Sequence, residues 1–311
     1  MTPFVSIIIP CYNAERWLAE TLESALAQTW TAKEILVIND GSTDDSLAVA
    51  QQFVTRGVQV IDQPNRGASA ARNHGLRLAR GEFIQFLDAD DLLAPDKISR
   101  QLAVAAQTGN EWVLSARWSR FTSSAAEASF PPEPLCTDLD PIEFALIKFE
   151  RNAMMHPAAW LVPRAVAGRA GPWDETLSLD DDGEYFLRVV LSSRGVRHVP
   201  EARSYYRSGL SESLSAHKSE AAYLSAYRSL DQSVTSVLAA QNSPRARHAC
   251  ATALQMFIYE AYPKAIGSRQ AAAVHIAALG GTDLPPPGGP KFQLASRLLG
   301  WRLAKRLAQF R

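Results

Sequence analysis

The chain has 311 residues, of which 47% are hydrophobic and 21% charged, and its 32 Lys and Arg balance 32 Asp and Glu to a formal net charge of zero. That length buries a sizeable core as one large domain or two ordinary ones, and the neutral balance gives no global field that would mark nucleic acid as the partner. Cys11, Cys136 and Cys250 are widely spaced without a C-x-x-C pair, which suits reduced thiols in packing roles rather than a disulfide framework.

In chain order, the sequence enters Val5-Ser6-Ile7-Ile8-Ile9 without the basic segment and long apolar run of a secretory leader, so none is expected. No apolar run approaches the ~18 residues that span a bilayer. Over residues 1–117 short apolar runs alternate with helical patterns, the signature of βαβ units and a mostly parallel sheet. Strands are expected over 5–10, 34–38, 58–61, 83–87 and 112–117. Leu18, Leu22, Ala25 and Leu26 fall at helical spacing, as do Leu47, Ala50 and Val54, and both sets predict faces packed on the sheet. Ser42-Thr43-Asp44-Asp45 supplies a helix-capping pattern after the second strand. A helix is expected over 95–108.

A Pro-rich stretch over 130–141 breaks the periodicity, and less regular structure continues to Tyr206 as a second half, 118–215, of the same domain. Residues 216–279 read as a helical appendage punctuated by Pro244 and Pro263, and 280–290 as a Pro/Gly-rich linker. The end, 291–311, carries Lys291, Arg297, Arg302, Lys305, Arg306 and Arg311 with no acid. Drawn as one helix, Phe292, Leu299, Leu303, Leu307 and Phe310 form a stripe while Leu294, Leu298 and Trp301 fall nearly opposite. Peripheral contact with an anionic membrane surface and docking on the protein's own helices both stay open.

The densest chemistry is Phe83-Ile84-Gln85-Phe86-Leu87-Asp88-Ala89-Asp90-Asp91, an apolar strand ending in three carboxylates. Side chains two apart on an extended chain share a side, so Asp88 and Asp90 can converge on one Mg²⁺ or Mn²⁺ while Asp91 points elsewhere. The plain alternative is a solvated loop whose Asp91 caps the following helix. Polar clusters also follow the first and second strands, at Pro10-Cys11-Tyr12-Asn13 and Asn39-Asp40-Gly41-Ser42. In an open parallel sheet such strand ends share the rim where ligands bind. There Asp40 can accept from a base N–H and Tyr12 can stack on the base, or both can simply shape turns. Asn65-Arg66-Gly67 opens a helix in which Arg66 and Arg72 can offset phosphate charge. Dinucleotide, P-loop, zinc-peptidase and esterase motifs are absent. The six histidines are scattered, and His74 and His198 read as structural.

These blocks, with Asp181-Asp182-Gly183-Glu184-Tyr185-Phe186-Leu187-Arg188 as a fifth, resemble family 2 glycosyltransferases in content and order over about residues 4 to 215. The resemblance implies an α/β fold with a GT-A type, Rossmann-like nucleotide-binding sheet over 1–117, an acceptor-side half over 118–215 and a mainly helical C-terminal region. It implies that Asp40 reads the base and that Pro10, Tyr12, Asn13, Asn65, Arg66, Gly67 and Arg72 line the nucleotide-sugar. Asp88, Ala89 and Asp90 would face metal and diphosphate. Asp182 stands at the family's catalytic aspartate, and Asp181 replaces its usual glutamate. Gly183 departs from a position often bulky, which would enlarge the acceptor pocket or loosen the helix start. Trp173 and Glu184 are acceptor-side candidates, with a core aromatic the equal reading of Trp173.

The implied activity is inverting transfer from a nucleotide-sugar, expected to be UDP-linked, to a lipid-linked or polysaccharide hydroxyl, in the cytoplasm or at the inner face of the cell membrane. A sugar nucleotidyltransferase usually carries a Gly-rich basic first loop where this chain has Pro10-Cys11-Tyr12-Asn13. A non-catalytic sugar-nucleotide-binding module is the other rival.

Overall fold

The computed structural model describes residues 2–209 and 219–308. The elements run β1 (Val5–Cys11), α1 (Leu18–Leu26), β2 (Lys33–Asp40), α2 (Ser46–Gln51), β3 (Val58–Gln63), α3 (Ala68–Leu78), β4 (Phe83–Phe86), β5 (Leu92–Leu93), α4 (Lys97–Thr108) and β6 (Val113–Phe121). They continue with α5 (Pro141–Arg151), β7 (Trp160–Pro163), α6 (Arg164–Ala170), α7 (Asp181–Leu191), β8 (Val196–Arg207), α8 (Glu220–Ala240), α9 (Pro244–Ala261), α10 (Ile266–Leu279), α11 (Pro290–Leu299) and α12 (Trp301–Ala308). The expected boundary near 215 lies outside the described residues.

The strands form one sheet in the order β3-β2-β1-β4-β7-β6-β8-β5. The first half is parallel, β1 pairing with both β2 and β4 and β2 with β3. The fifth expected strand, now β6, does not join β4 directly. Antiparallel β7 stands between them, and β8 runs parallel to β6. The strand period of two explains why β1 is apolar at nearly every position. Ile7 and Ile9 pack with Leu18, Leu22 and Ile98 on one face of the sheet, while Ile8 packs with Ala71, Phe86 and Trp173 on the other. Val54 departs from its expectation: it falls in a 3₁₀ turn after α2 and is 50% exposed.

The helical region is packed into this core rather than appended to it. Cys250, Leu254 and Phe257 of α9 belong to the same apolar cluster as Ile84, Phe86 and Phe144. Pro244 occupies the first turn of α9, where a missing N–H costs nothing. The single terminal helix is corrected to two. Gly300, at φ 78°, separates α11 from α12 and resets the helical wheel at that point, which explains why one continuous wheel scattered the leucines. Phe310 and Arg311 lie outside the described residues. Among the described residues, no helix is long and apolar enough to cross a membrane.

Candidate active site

The loops after β1 and β2 are tied to each other. Asn13 adopts left-handed backbone at φ 48°, and its Oδ1 accepts from the Thr43 N–H at 2.8 Å. The Asn13 N–H in turn donates to Ser42 Oγ at 3.1 Å. Gly41, at φ 68°, permits a close approach, since a Cβ there would lie 2.8 Å from the Asn65 nitrogen. Beside it the buried Asp40 carboxylate accepts from Gln63 Nε2 at 2.6 Å, the Arg66 N–H at 2.9 Å and the Gly67 N–H at 2.7 Å. Asp40 thus holds the turn that opens α3. Tyr12 stands 51% exposed on this rim, Asn65 and Arg66 are exposed, and Arg66 pairs with Glu175 at 2.8 Å. Pro10 remains within β1, in register with Ile38.

Arg72 is the structural centre of the site. One turn into α3 it is buried, with Nη2 donating to Asp88 Oδ1 and Nη1 to Asp181 Oδ2, both at 2.8 Å. Ser69 Oγ adds a 2.7 Å bond to the same Asp181 oxygen. The guanidinium lies 4.4 Å over the Trp173 ring. Burial works against its charge, and the two carboxylates more than offset that penalty. One cation therefore joins two acidic motifs that stand 93 residues apart in sequence, Asp88 and Asp181.

The 88–91 loop is pinned by Thr21 of α1, whose Oγ1 donates to the carbonyls of Ala89 at 2.9 Å and Asp91 at 3.0 Å. Asp88 stays partly exposed. Burial, then the charges of Asp91 and Asp88, push the Asp90 carboxyl up to about 8, against the pull of Arg207. Asp91 points inward: its carboxyl meets His156 Nδ1 at 2.9 Å and accepts from the Arg207 N–H at 2.9 Å. His156 Nε2 lies 2.8 Å from Ser204 Oγ, and burial pushes the imidazole down to about 3 and the Asp91 carboxyl well up. The neutral pair, acid to imidazole to hydroxyl, is what that burial favours. His156, Ser204 and Arg207 were not legible in the sequence, because His156 lies between α5 and β7 and the other two in β8, all remote from the 88–91 loop and matching no local spacing.

At the start of α7 three acids crowd together. Asp180 caps it in left-handed conformation at φ 60°, and its Oδ2 accepts from Ser229 Oγ of α8 at 3.0 Å. Burial, then Asp181 and Asp180, push the partly buried Asp182 carboxyl up to about 7, while Arg72 and Lys148 pull it down. A carboxylate poised near neutrality suits proton abstraction.

Three acceptor-side readings meet their surroundings here. Trp173 is a core aromatic, 1% exposed and stacked on Tyr185 at 4.0 Å and 11°, so its face has no room for a sugar. Glu184 is 3% exposed and its carboxylate is engaged in an ion pair with Arg188 one turn along α7. Gly183 neither enlarges a pocket nor loosens the helix, since a Cβ there would lie 2.2 Å from Asp180 Oδ1 and its absence makes room for that carboxylate.

Among the described residues no group of three or more His, Cys, Asp or Glu side chains is arranged as a metal cage. Asp88 and Asp90 still suit a hard cation of the kind held by one or two carboxylates plus substrate phosphates. Their donors are oxygens, and of the burial and the carboxylate repulsion that together raise Asp90, the second is one that a divalent ion relieves.

Residues 6–152 match the family model described as Glycosyl transferase family 2. The chain is 30% identical over 214 residues to the uncharacterized glycosyltransferase EpsJ of Bacillus subtilis, covering 67% of this chain and 62% of that one. It is 42% identical over 105 residues to the uncharacterized glycosyltransferase YibD of Escherichia coli, covering 33% and 30%. The matched region thus spans less than two thirds of these curated relatives. In fold the chain is similar to Staphylococcus aureus TarS 1-349 in complex with UDP-GlcNAc, at TM-score 0.73 and 17% identity over 98% of this chain and 91% of that one. It is also similar to the mannosyltransferase PcManGT of Pyrobaculum calidifontis in complex with GDP-Man and Mn²⁺, at TM-score 0.57 and 15% identity over 99% and 87%. At those identities the likeness speaks for the fold, and it agrees with the expected α/β class.

Proposed function

We propose, on the match of residues 6–152 to the glycosyl transferase family 2 model, that the chain moves a sugar from a nucleotide-sugar to an acceptor hydroxyl with inversion at the anomeric carbon. The donor is read as UDP-linked and the acceptor as a lipid-linked or polysaccharide glycan, met in the cytoplasm or at the inner face of the cell membrane. TarS, in complex with UDP-GlcNAc, and PcManGT, in complex with GDP-Man and Mn²⁺, support a nucleotide-sugar donor.

In this reading Asp40, Tyr12 and the 65–67 turn receive the nucleoside, and the Arg72 guanidinium faces the diphosphate. Asp88 and Asp90 would hold Mg²⁺ or Mn²⁺, which when bound would offset the charge of the leaving diphosphate. The acceptor oxygen forms its bond to the anomeric carbon as the bond to the diphosphate breaks, and its proton passes to Asp182. Asp181 does not take the proton, because its carboxylate is committed to Arg72 and Ser69. The observation that carries the proposal is the single guanidinium shared between Asp88 and Asp181, which sets a leaving-group motif beside a carboxylate poised at about 7.

A thermal-shift and turnover screen of nucleotide-sugars with Mn²⁺ tests it. One donor is expected to raise the melting midpoint by mass action and to be slowly hydrolysed. UDP is expected to bind more tightly with Mn²⁺ than with EDTA. A screen in which no nucleotide-sugar stabilises the chain or is turned over would reject the reading, and identical UDP titrations with and without metal would reject the metal site.

A further inference from the structure

We propose that α11 and α12 form a lipid-binding surface that seats the protein on an anionic membrane. The break at Gly300 sorts the terminal residues into a docked face and a free face. On α12 Trp301, Ala304 and Lys305, at i, i+3 and i+4, face α9. The Trp301 ring meets Tyr259 at 4.9 Å and Tyr262 at 5.0 Å, both edge to face, Ala304 is 3% exposed, and the Lys305 ammonium donates to the Tyr259 carbonyl. The opposite face presents Leu303 and Leu307, 47% and 51% exposed, flanked on one side by exposed Arg302 and Arg306, whose guanidiniums lie 5.5 Å from the Trp301 ring and 5.7 Å from the Tyr262 ring. On α11 Leu294 and Leu298, one turn apart, are 60% and 75% exposed beside exposed Lys291 and Arg297.

Of the twelve large hydrophobic side chains exposed among the described residues, five lie in α11 and α12, and residues 290–308 contain five basic side chains and no acid. A nucleic acid would satisfy the cations and leave the leucines in water. A neutral protein groove would do the reverse. A bilayer interface serves both, because leucines enter the acyl boundary while arginine and lysine stems snorkel to anionic headgroups. The proposal stands apart from the transfer reading, since lipid binding is measured with no donor present.

Co-sedimentation of the full chain with phosphatidylcholine vesicles, with or without phosphatidylglycerol, tests it. Binding is expected to need phosphatidylglycerol, to weaken with salt, and to fall about tenfold or more in a Leu294→Ser, Leu298→Ser, Leu303→Ser, Leu307→Ser variant and in Arg297→Glu with Arg302→Glu. Leu298→Ser alone, at the most exposed leucine, gives a smaller loss in the same direction and keeps the test open if the quadruple variant fails to fold. Wild-type chain that ignores phosphatidylglycerol vesicles overturns the proposal, as do variants that bind like wild type. A lipid-independent dimer that the leucine changes dissociate would assign the face to a second copy and overturn it equally.

Discussion

Asp182 is expected to report its environment in three measurements. Its carboxyl, raised to about 7 by burial and by Asp181 and Asp180, predicts a kcat/KM that climbs with pH and levels off above about 7. Asp182→Asn keeps the size but cannot take a proton, so transfer should fall on the order of 10²–10⁴-fold with donor affinity nearly intact. A transfer rate equal to wild type would move the base elsewhere. The sign of the stability effect is opposite. A carboxyl whose folded pKa lies above its unfolded value favours the native state while protonated and costs stability as pH rises from the unfolded value through about 7. Asp182→Asn is therefore expected to melt higher than wild type at pH 8 and nearly equally at low pH, so a lower midpoint at pH 8 would contradict the burial argument. Arg72 behaves differently: Arg72→Ala strands Asp88 and Asp181 and should cost on the order of 3–5 kcal/mol in denaturant unfolding, the usual penalty for removing one partner of a buried pair.

Elements carry the next lesson. The start of α7 depends on a missing side chain, since Gly183 leaves space for Asp180, which Ser229 of α8 holds in place. Gly183→Ala should therefore destabilise the fold, and the loss should shrink when Asp180→Ala is added; strict additivity in that double-mutant cycle would dismiss the packing explanation. Strands β1, β2 and β4 were legible because each is an apolar run buried on both faces and closed by turn residues, and the edge strand β3, which exposes Gln59 and Asp62, by its short run from Val58 to Ile61. Strands β7 and β8 were not, because β8 mixes Arg197, Glu201, Arg203 and Arg207 with apolar positions and interrupts its ladder beside Ala116 and Arg117. The acidic rim was legible for the same reason as its strands, being local in sequence. Trp173 stayed open between two readings because a buried and a sugar-stacking tryptophan look identical until Tyr185 is seen against its face. The two terminal helices were hidden by a single glycine, since helical spacing carries no record of a backbone reversal.

For the whole molecule, the apolar cluster that runs from Ile84 through Phe144 to Leu254 makes sheet and C-terminal helices one cooperative unit. Residues 280–289 are stitched to α9, with Tyr259 Oη donating to the Leu284 carbonyl at 2.8 Å and the Thr252 and Thr282 hydroxyls 2.9 Å apart. A chain ending at Gly289 should therefore still unfold in one transition by circular dichroism, with a modestly lower midpoint from the uncovered Tyr259 and Tyr262. A chain ending at Ser243 loses α9 and should not fold. A stable, monomeric product from that shorter chain would show the two regions to be independent.

The cation shared by Asp88 and Asp181 also implies a reciprocity. Arg72 lowers the proton affinity of Asp182, so an anion that draws the guanidinium toward itself must raise that affinity, and protonation of Asp182 must strengthen the anion's binding by the same factor. Binding of metal-free UDP should accordingly take up protons near pH 7, visible as a dependence of the calorimetric heat on the buffer's ionisation enthalpy, and Asp182→Asn should abolish the uptake.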